Sequence, residues 1–321
     1  MKRSAEALLA CALLAGAPSL AAQTFPSKAV RIVVAFPPGG GTDIVARIVG
    51  QKLADSYGHQ VIVDNRAGAA GVIGTELAAR SAPDGYTWFM ATMGNIAVNR
   101  HIYRMTVDPV RDLAPVTNVV AVHFVMVAHP SLPARNVKEL IALAKARPGE
   151  ITFSSSGAGG APHLAGELLK SMAHIQLVHV PYKGSGPSFV DLLGGQIMLT
   201  CDSQVQALPY VRAGRLKALA VLGRRRSPQL PEVPTVDESG LPGYELTNWF
   251  GLLVPAATPR DLVSRVNGDV VKVLQQKDVR DKLADMGADV IGDSPQQFAA
   301  FIQSETAKWA KVIKEARILA E

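Results

Sequence analysis

Cysteine is scarce in this chain, since its 321 residues include only Cys11 and Cys201. The two lie far apart, and neither belongs to a Cys-x-x-Cys pair or to a cluster with metal-ligand spacing. This excludes a small disulfide-stapled fold and a zinc-ribbon type of site. A chain of this length does not need disulfides, because it can bury one large or two ordinary hydrophobic cores.

Long apolar runs are also lacking, because no stretch reaches the roughly 18 apolar residues that a transmembrane helix needs. The N-terminus has a different pattern: Lys2 and Arg3 precede a short apolar run, which ends in a cluster of small residues. This order is typical of a secretory signal. We therefore predict a signal peptide over residues 1–22, cleaved after Ala21 or Ala22, and export to the periplasm.

The segment Leu-Leu-Ala-Cys around Cys11 resembles a lipoprotein cleavage box. The apolar run continues well past Cys11, however, so we do not expect lipidation. Removal of the signal peptide would leave Cys201 as the single cysteine of the mature protein.

Charge of one sign does not dominate any region. The formal net charge is +6, and 19% of the residues are charged while 48% are hydrophobic. This composition is typical of a folded globular protein. The one tight cluster, residues 224–226, is Arg-Arg-Arg and has no interleaved aromatics. The balance mildly favours an anionic ligand, and we expect no nucleic-acid partner.

Motifs for nucleotide binding and for catalysis are missing. The loop FPPGGGTD has no lysine after its glycines, and the third glycine of a dinucleotide fingerprint would fall at Ile44. The segment FSSSG has Phe153 where a nucleophile elbow needs glycine. His163 and Glu167 have helical spacing but lack the second histidine of a zinc-protease motif. We therefore expect no catalytic residue, no metal, no cofactor and no enzymatic activity.

Strand and helix patterns alternate along the chain. A β-branched run at 29–36 is followed by a helical pattern at 43–57, and the alternation resumes after a looser stretch at 94–115. Two long apolar strands, 119–128 and 247–255, could each cross between lobes, and two or three helices close the chain. About ten strands predict an α/β fold with two smaller sheets, a second lobe inserted into the first, and a ligand in the cleft between them.

Two glycine-rich loops share one design. FPPGGGTD and SSSGAGGAPHL each follow a predicted strand and open a helix, and VPYKGSGP is a third loop of the same kind. The first N–H groups of a helix lack intrahelical partners, and glycine lets an anion approach them closely. The pair of loops indicates a site for a carboxylate or another small oxyanion.

Three features of these loops have two interpretations each. Asp43 shapes the first loop by bonding free N–H groups, or it contacts the ligand directly. The run Gly39 to Gly41 makes room for the anion, or it only makes a tight turn. His163 bonds the loop or the ligand, or it is a packed core residue.

These motifs, in this order, resemble the Bug or TctC family, the extracytoplasmic solute-binding proteins of the tripartite tricarboxylate transporter system. The similarity runs from about Phe25 to the C-terminus, through AVRIVVAFPPGGGTDIVAR, FSSSGAGGAPHLAGELL and VPYKGSGPSFVDLLGGQIMLTCD. It implies a two-lobed Venus-flytrap fold with a mixed or parallel sheet in each lobe. The implied boundaries are 23–122 with 248–321 for the first lobe and 123–247 for the second.

The family holds a ligand carboxylate between its glycine loops, partly through bridging waters. Carried onto this sequence, the implied ligand-binding residues are Pro38, Gly39, Gly40, Gly41, Thr42 and Asp43, then Ser155, Ser156, Gly157, Ala158 and Gly159 with His163 behind them, then Tyr182, Lys183 and Gly184, and finally Asp202.

One position departs from the family pattern, because Cys201 stands where a hydrophobic or aromatic residue is expected. If the strand pattern is right, Ser203 and Gln204 follow it into the cleft. Together with Trp249 and Phe250 they are expected to help select the ligand, and the alternative is that they pack the hinge strands.

The resemblance implies a small organic carboxylate as ligand: a di- or tricarboxylate, an acidic amino acid or an aromatic acid. It implies a two-subunit membrane permease as partner, and we expect a monomer. Two other hypotheses stay open at this point. The chain could be a sensor that presents its closed form to a membrane receptor, or an exported hydrolase.

Overall fold

The structure is a computed structural model that describes residues 25–316. The predicted signal peptide and Cys11 lie outside the described residues. No helix within the described range is long and apolar enough to cross a membrane.

Eleven strands are present in the described part of the chain. In order they are β1 (Val30–Val34), β2 (Val61–Asn65), β3 (Thr87–Thr92), β4 (Leu113–Val122), β5 (Phe124–Ala128), β6 (Thr152–Ser155), β7 (Val178–Pro181), β8 (Leu199–Ser203), β9 (Lys217–Val221), β10 (Asn248–Pro255) and β11 (Ala288–Val290).

Helices alternate with these strands. They are α1 (Gly41–Tyr57), α2 (Val72–Ala79), α3 (Asn99–Ile102), α4 (Val137–Ala146), α5 (Ala161–Ala173), α6 (Ser185–Leu193), α7 (Gln204–Arg212), α8 (Arg260–Leu274), α9 (Lys277–Asp285) and α10 (Pro295–Ala316), with a short 3₁₀ turn at Ala69–Gly71 and a π turn at Gly94–Val98.

The strands form two mixed sheets, as the sequence predicted. The first has the order β11-β4-β10-β3-β1-β2 and the second has the order β7-β6-β8-β5-β9. Parallel pairs build one side of each sheet, and antiparallel pairs add the other strands. We call the part that carries the first sheet the first lobe and the part that carries the second sheet the second lobe.

The predicted strand 119–128 is two strands, because the chain leaves one sheet and enters the other at His123. The N–H of His123 donates to the carbonyl of Gly287, and its own carbonyl accepts from the N–H of Gln204. Up to Val122 the chain pairs within the first sheet, and from Phe124 it pairs within the second. The predicted crossing is therefore confirmed, but the apolar pattern continued through it and hid the break.

The prediction that 247–255 also crosses is wrong. All of β10 pairs with β3 and β4 in the first sheet. The chain returns to the first lobe just before β10. The N–H of Leu246 donates to the carbonyl of Leu222, which follows β9 of the second lobe, and Asn248 already pairs with Val122 of the first sheet. An apolar run indicates that a strand is buried, but it does not indicate to which sheet the strand belongs. The lobe boundaries 23–122 with 248–321 and 123–247 stay a prediction.

Two further differences concern short elements. The stretch 94–115, predicted to be loose, holds the π turn, α3 and the start of β4. Strand β11 has three residues and no clear alternation, so its pattern was too short to detect. Three helices follow Pro259, in agreement with the prediction of two or three.

The two lobes are in direct contact. Tyr103, which follows α3 in the first lobe, donates a hydrogen bond to the carbonyl of Ala158 in the second. Gly186 of α6 lies so near Pro38 that a Cβ on Gly186 would be 2.7 Å from the Pro38 carbonyl oxygen. The structure therefore has its lobes closed on each other.

Candidate functional site

A narrow cavity lies between the lobes, at the carboxyl ends of strands from both sheets. Its volume is about 40 Å³. From the first lobe, Phe36 follows β1 and Thr92 ends β3; from the second, Ser156 follows β6 and Asp202 and Ser203 end β8. This is where ligands of open α/β sheets bind.

Four helices begin at this cavity. The wall includes Gly40 and Gly41 at the start of α1, Gly160 and Ala161 at the start of α5, Ser185 at the start of α6, and Ser203 immediately before α7. None of the four capping residues bonds its own helix through a side chain. The first N–H groups of a helix lack intrahelical partners and its dipole is positive at the start, so these helix starts favour negative charge in the cavity.

Asp43 holds the first glycine loop in shape. Its carboxylate accepts from the Gly39 N–H at 2.9 Å and from Asn65 Nδ2 at 3.0 Å, and it pairs with Arg47. Burial alone would raise the pKa of Asp43, but the hydrogen bonds from Arg47, Gly39 and Asn65 lower it below its ordinary value. Asp43 is therefore an ionised residue that orders the loop from behind, which favours the loop-shaping interpretation.

His163 supports the second glycine loop in the same way. The Gly159 N–H donates to His163 Nδ1 at 3.1 Å. Burial, and then the proximity of His179 and Lys170, lower the pKa of His163 to about 3. The imidazole is therefore neutral, with Nδ1 free to accept, and it fixes the loop rather than carrying charge.

A serine and a histidine meet beneath the same loop. Ser155 Oγ and His179 Nε2 are 2.7 Å apart, and the Gly157 N–H donates to the same hydroxyl. A nucleophile and its base have this spacing in hydrolases. Ser155 is fully buried, however, and does not line the cavity, so this pair holds the loop.

The third loop contributes to an outer groove rather than to the cavity. Tyr182 lies there with Pro38 and Gly39, and its hydroxyl donates to Asp191 at 2.5 Å. Burial and the Asp191 carboxylate raise the pKa of Tyr182 to about 12. Gly184 packs against Pro37, and Lys183 is exposed; neither lines the cavity.

Asp202 is the ionised group of the cavity wall. It is 3% exposed, and it accepts from Ser185 Oγ and from the Ser203 N–H, each at 2.6 Å. Burial raises the pKa of Asp202 to about 6. Among the described residues of this wall there is no lysine, arginine or histidine. A bound anion would thus meet peptide dipoles and hydroxyls, not fixed cations.

Three phenylalanine rings form the apolar part of the wall: Phe36, Phe124 and Phe250. Asn248, at the start of β10, lies beside them and accepts from the Trp249 N–H through its Oδ1. The cavity therefore combines a polar side made by helix starts with an apolar side made by aromatic rings.

Of the predicted ligand-binding residues, the structure brings Gly40, Gly41, Thr42, Ser156 and Asp202 together in the cavity wall.

Trp249 and Gln204 lie elsewhere. The indole of Trp249 packs against Phe298 and donates to Glu305, while the Gln204 amide oxygen accepts from Ser227. These contacts match the alternative that hinge strands are packed there, and a ligand role for either residue stays a prediction.

Sequence reasoning did not single out Phe36, Thr92, Phe124 or Asn248. Each lies at an end of a strand, and that position was the available signal for the first two. Phe124 and Asn248 could not be recognised as wall residues, because the segments 119–128 and 247–255 were each interpreted as one continuous apolar strand. No group of three His, Cys, Asp or Glu suited to a metal ion occurs within residues 25–316.

Two mixed sheets, closed over a cavity into which helix starts point, define a two-lobed solute-binding protein of the periplasmic type. Residues 45–318 match the family described as the tripartite tricarboxylate transporter family receptor, TctC. The chain belongs to this family, and the resemblance seen in its motifs is confirmed.

Relatives of known name or structure are similar over most of their length. BugT of Bordetella pertussis is 38% identical over 298 residues, which are 92% of this chain and 91% of BugT. An R. palustris protein solved with adipate is 38% identical with a TM-score of 0.90, covering 92% of this chain and 100% of that chain. MatC from Rhodopseudomonas palustris, solved with bound malate, is 31% identical with a TM-score of 0.86, covering 90% and 100%.

These similarities confirm that the chain is a solute-binding protein rather than an enzyme. They also confirm the two-lobed α/β fold.

Proposed function

We propose that this protein captures a small organic carboxylate between its lobes in the periplasm. The observation that carries the proposal is the convergence of four uncapped helix starts on one buried cavity. The ligand belongs to the classes expected from the sequence: di- or tricarboxylates, acidic amino acids or aromatic acids. Adipate in one relative and malate in another support the same chemistry.

Dipoles and hydroxyls can supply enough free energy for this task. A hydrogen bond from an N–H group or hydroxyl to a carboxylate contributes about 1.5–3 kcal/mol. Three or four such bonds give about micromolar affinity after the ordering of ligand and lobes is subtracted. The donors come from both lobes, so the ligand stabilises the closed arrangement over an open one.

The partner in this proposal is a two-subunit membrane permease that accepts the closed protein. The family description, a receptor of a tripartite transporter, supports this assignment. Asp43 and His163 have an indirect role in this proposal, because they position the N–H groups of the two glycine loops from behind. Direct contact between the ligand and the other predicted residues outside the wall stays part of the proposal.

The test is a ligand screen on protein purified by unfolding and refolding, so that no ligand is carried over. Carboxylates are compared with their uncharged amides, succinate against succinamide being one pair, by thermal shift and calorimetry. A ligand at 100 times its dissociation constant adds about 2.7 kcal/mol to the free energy of unfolding. We expect this for acids and not for amides. Stabilisation by the amides or by neutral sugars alone would contradict the proposal.

A further inference from the structure

Asp202 is an unusual residue for an anion site, because it places a buried carboxylate in the wall that the ligand touches. A carboxylate offers about four acceptor positions. The Ser185 hydroxyl and the Ser203 N–H use two of them. Asp202 therefore still has capacity to accept hydrogen bonds, and no described neighbour in the wall is positively charged.

The four helix starts divide into two pairs. Ser185 begins α6 and Ser203 precedes α7, and Asp202 accepts from the Ser185 hydroxyl and from the Ser203 N–H, so the protein's own carboxylate lies beside these two helix starts. At the start of α1 the internal carboxylate, Asp43, bonds the Gly39 N–H from outside the cavity wall, so the wall at the starts of α1 and α5 is made by Gly41 and Ala161 without a carboxylate. The ligand carboxylate is best placed at this second pair.

The two pairs are close to each other. A Cβ on Gly41 would lie 2.5 Å from Ser203 Oγ, and a Cβ on Gly40 would lie 3.9 Å from the Cβ of Ser185. The start of α1 therefore lies beside Ser203 and Ser185, the two residues that bond Asp202.

Ser203 adds a second observation that points to a ligand. Its side chain is 2% exposed, and within the described residues its Oγ makes no hydrogen bond of good geometry, although its hydroxyl lies close enough to the Asp202 carboxylate to help lower the pKa of Asp202. A buried hydroxyl left unbonded costs about 1–3 kcal/mol. A polar ligand group between Ser203 and Asp202 removes that cost.

We propose that the bound carboxylate carries a hydrogen-bond donor, a hydroxyl or an ammonium group, one or two carbons from its carboxylate, and presents it to Asp202. The donor fills the free acceptor positions, whereas an unsubstituted acid leaves them empty and a second carboxylate there is repelled. This inference rests on the proposed function.

The test compares matched pairs of acids by calorimetry at pH 8, where Asp202 is ionised. The pairs are malate and succinate, 2-hydroxyadipate and adipate, and phenyllactate and phenylpropionate; aspartate supplies the ammonium form of the first pair. We expect the donor-bearing member to bind about 10- to 100-fold more tightly in the pair that the protein accepts. Aspartate against malate then tells which donor is preferred.

The variant Asp202→Asn separates the effect of the Asp202 charge on ligand preference from the effect of the size of its side chain. It keeps the size of the side chain but removes its charge, so the preference for the donor-bearing acid should fall by about tenfold. The fall should be largest for an ammonium group, while binding of the unsubstituted acid holds or tightens. Asp191→Asn is the matched control, because Asp191 lies in the outer groove and bonds Tyr182.

The experiment distinguishes failure of the donor inference from failure of the proposed function. If no carboxylate binds the folded protein, both proposals fall. If acids bind but members of each pair bind equally, or if Asp202→Asn keeps the full preference, only the donor inference is overturned. Retained binding of the unsubstituted acid shows that the variant is folded.

Discussion

Tyr103 and Ala158 connect the two lobes directly, with Tyr103 Oη donating to the Ala158 carbonyl at 2.9 Å. Ala158 belongs to the second glycine loop, and Tyr103 directly follows α3 in the first lobe. The bond can form only when the lobes are closed. It therefore couples closure to the position of a loop that borders the cavity.

Replacing Tyr103 with phenylalanine should weaken ligand binding while the fold stays intact. One neutral hydrogen bond of the closed state is lost, about 0.5–1.5 kcal/mol, so affinity should fall by roughly 2- to 13-fold. Calorimetry with an accepted carboxylate measures the change. Tyr86→Phe is the control, because the Tyr86 hydroxyl bonds Ser27, an exposed residue of the same lobe. Equal effects of both changes would argue against a role in closure.

Gly186→Ala should block closure without harming the second lobe. The added Cβ would meet the Pro38 carbonyl oxygen of the other lobe at 2.7 Å, a backbone atom that cannot rotate away. Overpacking of this kind costs about 1–3 kcal/mol, so we expect about tenfold weaker binding or more. Small-angle scattering with saturating ligand should show a larger radius of gyration than for the wild-type complex.

The control for this glycine is Gly268→Ala in α8, where a Cβ would meet nothing within 4 Å. Alanine is favoured over glycine inside a helix by about 1 kcal/mol, so this variant should be as stable as the wild type or more so. Its ligand affinity should be unchanged. Weaker binding by both variants would show that glycine loss acts through something other than contact between the lobes.

His163 makes stability depend on pH in a defined direction. Its pKa is about 3 in the folded protein against an ordinary 6.5, so the unfolded chain takes up a proton first as pH falls. Stability contributed by neutral His163 is full above pH 6.5 and is lost on acidification, by up to about 1.4 kcal/mol per pH unit. His163→Gln should flatten this part of the urea-unfolding profile between pH 6.5 and 4, and an unchanged slope would contradict the burial of a neutral His163.

Asp202 acts in the opposite sense. Its pKa is about 6 in the folded protein against an ordinary 3.8, so the folded form holds its proton more tightly. The free energy of unfolding contributed by Asp202 therefore falls as pH rises from 3.8 to 6, and it stays at its lowest value above pH 6. Asp202→Asn should raise the free energy of unfolding at pH 7.5 by about 1–3 kcal/mol and change it less at pH 4. Loss of stability at both values would contradict the sign.

The sequence was informative where backbone chemistry determines the site. A strand, a run of glycines and a helix pattern were enough to predict a helix start at the cleft, and Gly40 and Gly41 do line the cavity, because the N–H groups of a helix start do not depend on side-chain identity. The orientation of Asp43 was also foreseeable, since a carboxylate in a first helical turn tends to bond free N–H groups.

The rest depended on contacts between distant segments. The break at His123 is fixed by backbone bonds to Gln204 and Gly287, residues that no periodicity links to it. The break in turn decides that Phe124 lines the cavity. Trp249 and Phe250 alternate on β10, so Trp249 packs on α10 and Phe250 faces the cavity, and the choice required the register of β10 against its neighbours.

The absence of lysine, arginine and histidine from the described cavity wall has a consequence for the surroundings in which the protein works. Attraction between a ligand and an exposed cation is screened over about 10 Å at 0.1 M salt. Short contacts from buried N–H groups are screened far less. Capture should therefore hold its strength across large swings in ionic strength, such as a compartment open to the outside medium experiences.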